Sequence, residues 1–450
     1  MKSGEIAIGA ALAKPSRVRY WVLAMLVLAS AVNLGDRANL SITGTAMSAD
    51  LGIGSVGLGY VFSAFAWAYV LAQLPAGWLL DRFDSIKVYG VSLVLWSLCT
   101  FAQGFLGAFS VAAALAALFV LRFLLGLVES PVSPANNYIV ASWFPLKERG
   151  LATSIYNSAQ YIAVVVFVPL MGLLVHKAGW PSVFYVMGAL GLVLAVVWFK
   201  VMRNPLAHPR ANAAEIDYLR TGGANVNVDA KKTAAKPGID FSVLGFFLRS
   251  RLMVGVYVGQ YCLTSLQYFF ITWFPIYLVR GRGMNIVEVG FLATLPAIAG
   301  FIGGLAGGYL SDLLLRNGRS LSVARKTPFV AGMLLASSLV FCNFVDSPYT
   351  VVALMSLAIF GKGLAAVNWA IVSDTSPPNL VGFAGGLFNL FGSLSGIVTP
   401  IVVGYAVSMV GSFTGAMYFV AAHGLIGAFV YVFCIGRIHR LDQDDRLTGA

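Results

Sequence analysis

Residues 19–43 read RYWVLAMLVLASAVNLGDRANLSIT. A basic foot leads into an apolar run, and near its far end an acid and a base stand side by side, Asp36 and Arg37. About 20 apolar residues cross the hydrocarbon core of a bilayer, so this pair falls at membrane depth. A charge there costs about 2.5–3.5 kcal/mol on the mildest scale, and groups retained against that cost mark transport paths and proton relays. No small-residue cleavage site follows, and eleven further apolar runs do. The segment is therefore a retained first span, not a signal peptide.

Working outward, apolar runs recur near 57–80, 86–108, 111–141, 150–175, 181–201, 251–280, 286–310, 327–345, 348–373, 381–408 and 412–437. The 450-residue chain is 59% hydrophobic and 11% charged, against about 25% charged residues in soluble domains. That balance excludes a soluble globular class. The fold expected is an all-α membrane protein of twelve transmembrane helices in two six-helix bundles. The divisions read as a first bundle over 1–201, a polar linker over 202–248, a second bundle over 249–437 and a tail over 438–450. Forty-eight glycines suit helices that pack closely in lipid.

The net charge of +12 does not point to nucleic acid, because the basic residues are sorted by side. Lys177, Arg280 and Arg282 fall in loops at one face; Arg37, Arg122 and Lys362 fall at membrane depth. All other Lys and Arg lie in the termini or in loops at the opposite face, including Lys231, Lys232 and Lys236 in the linker. Basic loops stay cytoplasmic, which predicts both termini inside a bacterial inner membrane. Cys99, Cys262, Cys342 and Cys434 sit singly in apolar helices, with neither metal spacing nor a disulfide framework. The four histidines show no spacing to one another or to carboxylates, so no metal or cofactor is expected.

A weak repeat relates the halves. GWLLD over 77–81 ends the second run, and GYLSD over 308–312 ends the eighth. Asn157, Pro169 and Gly172 have rough counterparts in Asn389, Pro400 and Gly404. Parallel repeats of this kind describe transporters whose bundles rock about a site at the midplane. Asp81 and Arg82, with Asp312 in the second half, read as a conformational latch, Asp81 accepting from a neighbouring helix N-terminus.

Arg122 and Glu129, in the fourth run, are two helical turns apart and share a face about 10 Å long. They can bracket a partner on another helix, for which Asp36 is the natural candidate. Asp36 and Arg37 point about 100° apart, so one can face the fourth helix and the other a central chamber. Asp36, Glu129 and Arg122 are read as the proton-coupling set, and Arg37 as the group that binds an anion through its planar fork. Lys362 adds a third cation among glycines. With both acids protonated the depth charges sum to +3, which a dianion would reduce to +1. Asn33, Tyr69, Tyr156, Asn157, Gln160, Gln260, Tyr268, Asn368 and Asn389 are polar residues that can dress such a chamber. Amides both donate and accept, which suits a hydroxyl-rich cargo.

The stretch GWLLDRFDSIK over 77–87 resembles the signature loop of the major facilitator superfamily, with Asp84 where glycine is usual. NLGDRANLSI over 33–42 resembles the first-helix motif of that superfamily's anion:cation symporters. GYVFSAFAWAY over 59–69, SIYNSAQY over 154–161, GQYC over 259–262, FFITWFP over 269–275 and GIVTP over 396–400 are similar to the bacterial glucarate/galactarate permeases. The likeness runs over essentially all the spans. It implies proton-driven uptake of a sugar acid by alternating access, most simply D-glucarate or D-galactarate. By motif match Asp36 and Glu129 would carry protons, Arg37 would hold the substrate carboxylate and Arg122 would pair with the acids. Tyr69, Gln160, Trp369 and Asn389 would line the pocket. Leu34-Gly35 stands where many relatives carry an aromatic residue, which predicts a roomier pocket.

The alternatives left open keep the mechanism and change the cargo to a hexonate, a hexuronate or an aromatic acid such as phthalate. An intramembrane enzyme is the reading from another class. The sequence has no Ser nucleophile elbow, no His-Glu-x-x-His pair and no Gly-x-Gly-Asp motif for it. The partners expected are an organic anion, protons and lipid, with the monomer as the working unit.

Overall fold

A computed structural model describes residues 14–226, 241–377 and 380–441. The Lys231, Lys232 and Lys236 cluster and the tail beyond residue 441 lie outside the described residues. Among the described residues every regular element is helical. Eleven helices are long and apolar enough to cross a membrane, and a bent pair makes a twelfth. The first six spans are Val18–Leu51, Ser55–Arg82, Ser85–Gln103, Val111–Trp143, Leu146–Ala178 and Trp180–Val201. The seventh is the pair Arg251–Thr272 and Phe274–Gly281, bent by 52°; the last five are Ile286–Arg316, Leu321–Phe344, Pro348–Thr375, Val381–Val410 and Thr414–Cys434.

Local chemistry sets the ends and breaks. Pro275 follows the bend of the seventh span at Trp273, where a missing N–H and a ring against the preceding turn favour a kink. Pro131 sits at the break between Val111–Glu129 and Val132–Trp143. Asp84 caps the third span, accepting from the Ile86 and Lys87 amides at 2.8 and 3.3 Å. Its other oxygen accepts from Asn204 Nδ2 at 2.7 Å. The residue that departs from the usual loop glycine thus starts a helix and ties it to the chain beyond the sixth span.

That chain is not the plain connector expected over 202–248. Ala213–Thr221 forms a helix docked beneath the first bundle. Its Glu215 is fully buried and accepts from the Val18 and Arg19 amides at 2.9 and 3.2 Å, from the Ser16 hydroxyl and from Arg19 Nη1 at 3.3 Å. A carboxylate 196 and 197 residues beyond the amides it accepts from therefore caps the first span, where free N–H groups and the helix dipole favour an anion. Arg19 also pairs with Glu148 at 3.2 Å. Glu215→Ala orphans those amides and leaves the buried Arg19 guanidinium with one of its two carboxylate partners. Its melting curve in detergent is expected to shift down by several degrees, a loss of about 3 kcal/mol, with Glu215→Gln in between.

The two bundles meet through glycine at the end remote from the termini. A Cβ built on Gly59 would lie 2.7 Å from the Pro400 carbonyl oxygen, and one on Gly404 2.7 Å from that of Ser55. Gly172 repeats this in the symmetry-related pair of spans: its Cβ would lie 3.0 Å from the Ile286 oxygen, with Gly290 opposite. Backbones approach this closely only without side chains. The Tyr60 and Tyr405 hydroxyls are 3.3 Å apart there, and Arg280 Nη2 donates to the Thr45 carbonyl at 3.4 Å. At the terminal end of the same helices, Gly77, Gly150, Gly308, Gly382, Gly385 and Gly386 have nothing within 4 Å of a built Cβ. Backbone-to-backbone contact between the bundles is thus found at the end remote from the termini, and these six glycines at the terminal end make none.

Candidate functional site

Between the bundles lies a cavity of about 240 Å³, below the roughly 300–1,000 Å³ of drug-sized sites. The first bundle contributes Arg37, Phe62, Phe65, Tyr69 and Arg122. The second contributes Gln260, Thr264, Gln267, Tyr268, Ile271 and Thr272 from the seventh span, Trp369 from the tenth, and Asn389, Gly392 and Ser393 from the eleventh. Two cations face a wall of amides, hydroxyls and aromatic rings. That wall can satisfy an anion bearing several hydroxyls.

Arg37 is the organising group. Its Nε donates to Glu129 Oε2 at 3.0 Å, and its side chain is 27% exposed while that of Glu129 is fully buried. The guanidinium carbon lies 4.8 Å from the Phe65 ring centroid and 5.5 Å from that of Tyr69, and these two rings stack at 5.6 Å. Rings over the face of the cation leave its in-plane N–H groups as the donors.

Arg122 and Glu129 both lie within electrostatic range of Asp36, but among the described residues neither makes a direct ion pair or hydrogen bond with it. Asp36 is fully buried, accepts from Asn39 Nδ2 at 3.1 Å and turns toward the Trp96 indole of the third span. Its second oxygen has no hydrogen bond. Asp36 is thus walled off from the cavity that Arg37 enters, and Arg37 takes both positions foreseen for the pair: the contact with the fourth span and the chamber wall. Arg122 lines the cavity within electrostatic range of Glu129 and Asp36, yet among the described residues it forms no ion pair. Its two-turn separation from Glu129 is the reason: one helix holds them too far apart.

Of the remaining expected site residues, Tyr69, Gln260, Trp369 and Asn389 reach the cavity. Asn157 and Gln160 do not line it; Gln160 Nε2 donates at 3.3 Å to the Asn157 carbonyl on their own helix. Lys362 also stands off the lining and has no ion pair or hydrogen bond among the described residues. Asn368 is fully buried behind Gln260 and donates to it at 3.3 Å. The pocket is not widened by Leu34-Gly35. A Cβ on Gly35 would meet Phe167 at 2.7 Å, so the missing side chain makes room for the fifth span. Of the latch residues, Asp81 accepts from the Tyr138 hydroxyl at 2.6 Å within its own bundle rather than from a helix N-terminus. Arg82 lies 5.4 Å from the Trp78 ring, and Asp312 is exposed.

Thr264, Gln267, Thr272 and Ser393 escaped the sequence reading, although a signal was present. Gln260, Thr264, Tyr268 and Thr272 recur every four residues, a polar stripe on one face of an otherwise apolar helix. Arg325 and Asp374, paired at 2.7 Å between the ninth and tenth spans, were also missed. Arg325 read as one of the basic loop residues that set topology, and Asp374 was not singled out.

Comparison with known proteins places this geometry. The sequence profile of the Major Facilitator Superfamily matches residues 26–324. The chain is 51% identical over 433 residues to the probable galactarate/D-glucarate transporter GudP of Escherichia coli (strain K12), covering 95% of this chain and 96% of the relative. It is 51% identical over 428 residues to the protein of the same name from Bacillus subtilis (strain 168), covering 95% and 94%. Among solved structures, an inward-facing, unoccupied bacterial homolog of the human lysosomal transporter Spinster superposes with a TM-score of 0.73 at 17% identity, covering 93% of this chain and 97% of that one. Twelve spans in two pseudo-equivalent halves around a charged central cavity, together with these likenesses, establish that the chain belongs to the major facilitator superfamily of membrane transporters.

Proposed function

We propose that this protein imports a sugar acid, D-glucarate or D-galactarate, together with protons by alternating access between its two bundles. One observation carries the reading: a ring-stacked guanidinium on the cavity wall, Arg37, is held by a buried carboxylate, Glu129. An ionised Glu129 occupies Arg37 and cancels its charge. A protonated Glu129 gives a neutral and weaker acceptor, so the guanidinium becomes free to take the carboxylate of a cargo. Proton and anion then load cooperatively, because each removes the obstacle to the other. Asp36, sealed behind Arg37, supplies a second carboxyl group for the cycle. The half-identical relatives bear names that specify galactarate and D-glucarate, and the wall of amides and hydroxyls suits such polyhydroxy acids.

The close backbone contact at the end remote from the termini supports an inward-open reading of this form. Basic loops at the terminal end orient that end to the cytoplasm, so the open form would be the one that releases cargo inside. Uptake of labelled D-glucarate into proteoliposomes, with and without an inward proton gradient, tests the whole reading. Accumulation without regard to the gradient would refute symport.

Alternating access has its own test. Gly59→Leu forces a side chain against the Pro400 backbone and should disfavour the form closed at the remote end. In a background with the native cysteines replaced, labelling of Gly77→Cys by an impermeant maleimide from the terminal side is expected to fall severalfold when Gly59→Leu is added. Unchanged labelling would argue against rocking about this contact.

A further inference from the structure

A buried hydrogen-bond chain runs across the second bundle to the cavity. The Tyr431 hydroxyl donates to Asn368 Oδ1, and Asn368 Nδ2 donates to Gln260 Oε1 at 3.3 Å. Tyr431 and Asn368 are fully buried, and the Tyr431 ring stacks on Phe329 with centroids 3.6 Å apart. Gly259 admits that ring: a Cβ there would meet Tyr431 Cε2 at 2.4 Å. The direction of the chain follows from its far end. A buried phenol needs an acceptor for its proton, which makes the Asn368 oxygen face Tyr431 and its nitrogen face Gln260. Gln260 Oε1 is thereby committed as an acceptor.

The other end of the Gln260 amide is open. Its Nε2 makes no hydrogen bond among the described residues and lies beside cavity-lining Gly392, where a Cβ would sit 3.2 Å from it. Arg37 occupies the first-bundle wall of the same cavity. We propose that Tyr431 and Asn368 are positioning residues that lock Gln260 as a one-way donor, anchoring the carboxylate at the end of the cargo remote from Arg37. The chain thereby favours dicarboxylic sugar acids over monocarboxylic ones. This rests on the sugar-acid reading above and places the second anchor at Gln260, which lines the cavity, whereas Lys362 does not. An N–H donated to a carboxylate is about twice as strong as one donated to a neutral hydroxyl, which is the source of the preference.

Equilibrium binding to the purified full-length protein, without any gradient, tests this with D-glucarate and its monocarboxylic analogue D-gluconate. Gln260→Leu is expected to weaken glucarate about tenfold or more and gluconate about threefold or less. Asn368→Leu should reproduce that pattern, yet add nothing further in a Gln260→Leu background, because it acts only through that amide. Gly392→Ala, which covers Nε2 without touching Tyr431 or Asn368, should also weaken glucarate selectively. It serves if the Asn368 variant fails to fold. Equal losses for both acids, no loss in Gln260→Leu, or additive losses in the double variant would overturn the proposal. Arg37→Ala separates the two levels. If it abolishes binding while Gln260→Leu is silent, the donor lock fails alone; if it too is silent, the cavity is not the sugar-acid site.

Discussion

Replacement of Arg37 by alanine is expected to abolish uptake and to lower equilibrium affinity for a sugar acid on the order of 100-fold or more. Truncating one member of a buried, hydrogen-bonded charge pair costs about 2–5 kcal/mol. The loss here is double. The cargo forfeits its guanidinium, and Glu129 is left fully buried with no cation at 3.0 Å. The second loss can be removed by pairing Arg37→Ala with Glu129→Gln. That double variant should regain stability in a thermal melt but not affinity. Arg37→Lys keeps the charge while giving up the planar fork and much of the stacking on Phe65 and Tyr69. An intermediate loss, about tenfold, is expected. Wild-type affinity in Arg37→Ala would remove the basis of the proposed site.

Glu129→Gln should separate transport from coupling. Glutamine resembles the protonated acid, so Arg37 stays available and cargo still binds. It cannot lose a proton, so the step that returns the empty carrier loses its driving force. Exchange of labelled for unlabelled cargo is expected to persist, while accumulation driven by an inward proton gradient falls toward an internal-to-external ratio of about one. Asp36→Asn is expected to lose accumulation as well. It retains the Asn39 contact only as an amide-to-amide bond and lies outside the cavity, so equilibrium binding should change little. Full gradient-driven accumulation in either variant would mean that its carboxyl group does not carry the coupled proton.

Much of this was legible from residue types and spacing, and the failures have a common cause. Asp36 and Arg37 announced themselves because charge at membrane depth is costly wherever it points. Which of them faces the chamber depends on the rotation of the first span against the third and fourth, which an isolated helix does not specify. Arg122 and Glu129 share a face by helical period, but which of two arginines reaches Glu129 is settled by the neighbouring helix. Lys362 and Asn368 looked like cavity residues because they are polar and central; Asn368 instead serves Gln260 from behind. Glu215 looked like one charge in a polar linker, although the chain brings it back beneath the first span.

The sequence alone determined the class, the span count and the side on which basic loops gather. These follow from one-dimensional quantities: run length, charge position and a repeat that set Gly172 against Gly404. Tertiary structure decided the ion pair, the donor lock on Gln260, the cap on the first span and the end at which the bundle backbones meet. Each of these is a contact between helices distant in sequence, and its geometry comes from packing, where the fit of glycine against backbone or ring against ring selects one rotation and register among many that the pattern permits.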